Sequence, residues 1–69
     1  ANHSYILELK YLSKSDYSEE KAAKQWAEAV EQINGYAVAP RVEALRQGTQ
    51  MHKIIMQFCG WEMVRMEEI

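Results

Sequence analysis

The sequence predicts an α/β fold: a β-α-β-β core in which a three-stranded mixed sheet carries one main helix and one short helix. Three observations predict it. Residues 4–12 and 51–59 are short apolar runs of strand character. Between them, apolar residues recur at helical spacing from Ala22 to Ile33. The stretch joining the two runs is long enough for a crossover, which sets the two strands parallel with a right-handed connection.

Ser4 to Leu12 opens the core. Strand side chains alternate between faces, so Tyr5, Leu7, Leu9 and Tyr11 share one wholly apolar face. Ile6, Glu8, Lys10 and Leu12 share the other, where an acid and a base stand side by side between two aliphatic residues. Ser13 to Tyr17 is a polar connection. Ser18 suits a helix N-cap, and Glu19 and Glu20 then sit in the first turn, at the positive end of the helix dipole. The helix runs from about Glu19 to Asn34, with Ala22, Trp26, Ala29, Val30 and Ile33 as its buried stripe. Trp26, Val30 and Ile33 are expected to cover the Tyr5, Leu7, Leu9, Tyr11 face. Gly35 either ends the helix as a left-handed cap or is carried inside it to Tyr36, at some cost. Pro40 starts a short second helix to about Gln47, closed by Gly48. Met51 to Cys59 carries Ile54, Ile55, Met56 and Phe58 almost without interruption, as a strand covered on both faces would. Gly60 marks a turn or bulge. Trp61 to Glu68 is a third strand, more polar and nearer an edge. Trp26 and Trp61 are read as packing anchors, with an exposed Trp61 at an interface as the alternative, and Met51, Met56, Met63 and Met66 as core filler.

The chain has 69 residues, enough for one small domain. A domain of this size buries only about 60% of its unfolded surface, so it is marginal alone. Cys59 is the only cysteine, which rules out a disulfide within the chain and fits a reducing, cytoplasmic setting. No apolar run reaches the roughly 18 residues that span a membrane, and no signal peptide is visible, so no membrane association is expected. Net charge is -2, and the eight basic residues are dispersed. Affinity for nucleic acid comes mainly from neutralising phosphates, so this piece alone is not expected to grip it. No His/Cys spacing suggests zinc; His3 is read as a terminal histidine and His52 as a surface one. The chain starts at Ala1 and not at a methionine, and is expected to be a piece of a larger protein.

Glu8-Leu9-Lys10 is the first candidate for chemistry. Two residues apart on a strand, both side chains point the same way. A carboxylate is a hard oxygen ligand for a divalent cation. A neighbouring ammonium orients a water or stabilises charge on a phosphoryl group. Taken alone, Glu-x-Lys on a strand is usually a solvated ion pair, but here it interrupts a strongly apolar strand, where idle charges are unusual. The second candidate is Gln32-Ile33-Asn34-Gly35-Tyr36. If the helix reaches Tyr36, Gln32 and Tyr36 lie one turn apart on one flank, away from the Trp26 and Val30 stripe. Alone, that is an ordinary polar helix flank.

Together these residues resemble the PD-(D/E)XK nucleases. Tyr5-Ile6-Leu7-Glu8-Leu9-Lys10-Tyr11-Leu12 is similar to that family's acid-x-lysine strand, and Met51 to Phe58 to the parallel strand that follows the helix. Gln32 and Tyr36 resemble the Gln-x-x-x-Tyr motif of the RecB-like branch. More narrowly, the chain looks like the C-terminal nuclease-like domain attached to AAA-ATPase-like proteins of Bacteroidetes. The resemblance covers most of residues 4 to 69. It implies part of a restriction-endonuclease-like core, with Glu8 as metal ligand and Glu8, Lys10, Gln32 and Tyr36 as catalytic residues. The intact protein would use magnesium or manganese to hydrolyse phosphodiesters in nucleic acid. The family's other metal-binding acid lies on the strand before Glu8, and Asp16, in the loop after it, cannot stand in. This piece is therefore expected to bind no metal and to be inactive in isolation. The same gap would leave one edge of residues 4–12 unpaired, so a homodimer through that edge is expected. The competing expectation is a non-enzymatic α/β interaction or dimerisation module.

Overall fold

A computed structural model describes residues 2–69. The order is β1 (His3–Leu12), α1 (Glu19–Ala37), α2 (Pro40–Arg46), β2 (Gln50–Cys59) and β3 (Glu62–Glu68). β2 lies in the middle of the sheet, parallel to β1 and antiparallel to β3. Glu8 stands opposite Ile55 and Lys10 opposite Gln57. The β2–β3 ladder carries a bulge between Gln57 and Phe58. The expected α/β core with its mixed sheet, long helix and short helix is therefore what the chain forms.

Local chemistry sets the element ends. Ser18 is extended, with φ -147° and ψ 158°, and its Oγ accepts the Lys21 N–H at 3.1 Å. α1 does not stop at Asn34 but runs through Gly35 to Ala37, the longer of the two expected courses. Pro40 holds the first turn of α2. That helix ends one residue early, because Gln47 itself takes the left-handed conformation at φ 51° and Gly48 follows at φ 77°. Gly60 turns β2 into β3 at φ 59°, a conformation that suits glycine.

The face that α1 covers differs from the expected one. Its Trp26, Ala29 and Ile33 pack on Ile55, with Ile6 and Val30 at the margin. Ile6 and Ile55 belong to the side of the sheet that carries Glu8 and Lys10. Tyr5, Leu7, Leu9 and Tyr11 remain 43–61% exposed on the opposite side. A right-handed crossover ties the side that the helix covers to the edge of β1 on which β2 pairs, and here β2 takes the edge that goes with the even-numbered side. The covered side then accommodates its polar groups by pairing them. Lys10 donates to Gln32 Oε1 and Lys53 to Asn34 Oδ1, each at 2.7 Å. Gln57, 2% exposed, donates to the Ala22 carbonyl at 2.8 Å and to Gln25 Oε1 at 2.9 Å. Among the described residues no buried side-chain nitrogen or oxygen lacks a partner.

Three further expectations are corrected by the same one-sided layering. β2 is closely covered on the helix side only. Met63 and Met66 are exposed, since nothing overlies the other face of β3. Trp61 anchors nothing: it is almost wholly exposed in the β2–β3 turn. The second tryptophan does pack, with the Arg65 guanidinium 3.9 Å from the Trp26 ring centroid. The result is a slab of 42 × 20 × 15 Å. Its radius of gyration of 13.7 Å exceeds the roughly 11 Å of a compact domain of this length. No described helix is long and apolar enough to cross a membrane.

The two faces should respond differently to truncation. Ile33→Ala and Ile55→Ala are each expected to lower the unfolding free energy by about 2–5 kcal/mol, a large share of the roughly 3–10 kcal/mol available to a chain this size. Leu7→Ala, on the open face, should cost less than about 1 kcal/mol. Urea titration followed by far-ultraviolet circular dichroism measures all three, and a Leu7→Ala loss matching that of Ile55→Ala would refute the assignment of faces.

Candidate active site

β1 presents Glu8 and Lys10 to the underside of α1. Their side chains are 16% and 24% exposed, and Lys10 Nζ lies 3.2 Å from Glu8 Oε2. The two-residue spacing on a strand places them side by side, and the helix above removes most of the water. The same ammonium donates to Gln32 Oε1 at 2.7 Å. An ammonium has three donors and no acceptor. Two are engaged by Glu8 and Gln32, which fixes the position of Nζ and leaves one donor for a further oxygen.

Gln32 comes from the last third of α1. Because the helix passes through Gly35, Tyr36 follows one turn later on the same flank. Tyr36 is 51% exposed and borders a shallow groove with Glu28, Glu31, Gln32 and Gly35. The fold thus gathers Glu8, Lys10 and Gln32 into one hydrogen-bonded group and sets Tyr36 beside it. Among the described residues no hydrogen bond or ion pair joins Tyr36 to Glu8 or Lys10.

One residue of this region escaped the reading of the sequence. Lys53 pairs in register with Ile6, so it too faces α1, where it donates to Asn34 Oδ1 at 2.7 Å. A second ammonium therefore stands on the same side of the sheet as Lys10. The available signal was a lone lysine ahead of Ile54-Ile55-Met56, but only the strand register tells which side it takes.

A divalent cation is not satisfied by these residues. Glu8 is the one carboxylate on this side of β1, and it is paired with Lys10. Asp16 belongs to the turn after β1, where its N–H bonds the Ser13 carbonyl at 3.1 Å. Among the described residues no group of three or more His, Cys, Asp or Glu side chains is arranged to hold a metal. Magnesium demands near-octahedral oxygen geometry, which one carboxylate does not supply.

A family model described as the PD-(D/E)XK nuclease superfamily matches residues 1–68. No curated protein and no solved structure matches the chain.

The exposed members of the site have little structural duty. Gln32→Ala and Tyr36→Ala are each expected to change the unfolding free energy by less than about 1 kcal/mol. Urea titration of the two variants checks this; a loss comparable to that of Ile33→Ala would make them structural residues.

Proposed function

The chain belongs to the PD-(D/E)XK nuclease superfamily, and on that premise we propose that Glu8, Lys10, Gln32 and Tyr36 form one half of the active site of a metal-dependent nuclease. The observation that carries this reading is the Lys10 ammonium held between Glu8 at 3.2 Å and Gln32 at 2.7 Å. The other acidic ligand comes from residues outside this chain segment. The proposed kinship with the RecB-like branch is supported by the Gln32-x-x-x-Tyr36 spacing along α1; that with domains attached to AAA-ATPase-like proteins of Bacteroidetes is a narrower reading of the resemblance over residues 4–69.

Each residue has a distinct part. Glu8 would offer hard oxygens to magnesium or manganese in the intact protein, and a cation held there would supply water activation and charge stabilisation. Lys10 directs its remaining N–H at a non-bridging phosphoryl oxygen and stabilises the charge that builds there as water attacks phosphorus and the P–O ester bond breaks. Gln32 is a positioning residue: it accepts from Nζ and keeps the ammonium aimed. Tyr36 presents its ring and hydroxyl to the groove for contact with the substrate. Nucleic acid is the partner of the intact protein. Within the segment itself Glu28 and Glu31 border that groove and repel phosphate, so binding needs additional basic surface. The single free thiol, Cys59, fits a reducing cytoplasm.

The purified segment is expected to show no magnesium-dependent cleavage above a Glu8→Ala control. In the intact protein, Glu8→Ala and Lys10→Ala should each reduce cleavage by at least about a hundredfold, with the circular dichroism spectrum unchanged. Cutting by the intact protein that survives both substitutions overturns the assignment.

A second reading, a non-enzymatic dimerisation module, is favoured by one observation: β1 is an edge strand. An edge offers unpaired N–H and C=O groups to another chain. The charges of β1 do not blunt it, because Glu8 and Lys10 are turned under α1. The proposed homodimer pairs residues 4–12 of two copies edge to edge. Sedimentation at micromolar concentration is expected to give a dimer; one folded monomeric species there would refute it.

A further inference from the structure

The open face of the sheet carries a side-chain cluster that plays no part in phosphodiester chemistry. His3 at the start of β1, His52 on β2 and Glu68 at the end of β3 line up across all three strands. Tyr5 pairs with His52 and Ile54 with Glu68, which puts the three side chains on the side away from Glu8. His52 Nδ1 lies 2.8 Å from Glu68 Oε2. His52 Nε2 lies 2.8 Å from His3 Nδ1. The Tyr5 ring stacks on His52 with centroids 4.9 Å apart, and the His52 side chain is only 15% exposed.

The protons determine what this contact is for. An ionised carboxylate only accepts, so His52 Nδ1 carries the hydrogen of the bond to Glu68. In the neutral ring Nε2 is then a bare lone pair, aimed at His3 Nδ1. At this separation the two ring nitrogens share one hydrogen; opened to about 3.3 Å they accommodate one cation.

We propose that His3 Nδ1 and His52 Nε2 form a two-imidazole site for a transition-metal dication of the zinc class, with Glu68 setting the His52 tautomer from behind. Imidazole is a preferred ligand of zinc, copper and nickel and a poor one for magnesium. A ligating histidine ordinarily donates its other N–H to a carboxylate, which orients the ring and raises its basicity. With zinc bound, His3 carries its hydrogen on Nε2 instead, which frees Nδ1. Zinc–nitrogen bonds of about 2.0–2.1 Å in tetrahedral geometry need the two nitrogens about 3.3 Å apart, a small opening of the present contact. Water fills the other two positions, since no third His, Cys, Asp or Glu converges there among the described residues. The cation would tie β1 to β2 directly and to β3 through Glu68. Chain spacing gives no hint of it, because His3 and His52 are 49 positions apart.

The test is calorimetric titration of the 69-residue chain with zinc chloride in a non-coordinating buffer, with magnesium chloride as comparison. One zinc per chain is expected, and no comparable magnesium binding. His3→Ala and His52→Ala should each weaken zinc at least about tenfold, and Glu68→Ala by about 10–100-fold. Glu8→Ala, on the opposite side of β1, should leave zinc affinity unchanged. His3 and Glu68 are exposed, so their variants keep the test valid even where His52→Ala unfolds the sheet, and circular dichroism reports which variants are folded. No zinc binding up to about millimolar, full affinity in His3→Ala, or loss in Glu8→Ala would each overturn the site. None of these results bears on cleavage by the intact protein.

Discussion

The arrangement depends on one constraint: β1 and β2 are adjacent and parallel, so the chain between them must cross over one face of the sheet. The helix in that crossover comes down on the even-numbered side of β1. Ile33, Ala29 and Trp26 find Ile55 and Ile6 beneath them, and Glu8 and Lys10 are roofed along with those aliphatics. Burying charged groups is costly unless they are paired. The pairing is supplied by the helix itself, through Gln32 for Lys10 and Asn34 for Lys53, and by Glu8 for its neighbour. Gln57 adds a polar clamp near the start of α1 through the Ala22 carbonyl. Hydrogen bonds from α1 therefore hold Lys10 and Lys53 beneath it, and their placement is only as rigid as the seating of α1.

Much of the architecture was legible because it rests on local rules. Ser18 followed by two acids starts a helix, Pro40 starts another, and Gly60 reverses the chain. Two apolar runs with a helix between them imply parallel pairing. The side of the sheet that the helix takes was not legible from hydrophobicity. Alternation tells which residues of β1 share a face; it does not tell which face a given helix will cover. The more apolar face looked like the natural floor for α1, yet the edge of β1 on which β2 pairs put α1 over the face that carries two charges. Trp61, Met63 and Met66 were misread for the same reason, since an apolar residue is a core residue only where something overlies it.

The site was legible in pieces. That Glu8 and Lys10 point the same way follows from strand periodicity, and that Gln32 and Tyr36 share a flank follows from helical periodicity once Gly35 is inside the helix. That Gln32 reaches Lys10 depends on the depth and rotation of α1 over the sheet, which no short pattern encodes. Lys53, His52 and Glu68 depend on register. One shift along β2 would move each of them to the other face.

The parallel pairing also fixes an order of events. The β2–β3 hairpin closes across the Gly60 turn, and α1 needs only its own residues and the Ser18 cap, so both are local and quick to form. β1 has no such shortcut. Its partners on β2 lie beyond both helices, and closing so long a loop carries an entropic cost before any ladder bond repays it. In the folding of this chain the strand that bears Glu8 and Lys10 is therefore expected to be placed last, its apolar side chains free until then to find the wrong neighbours.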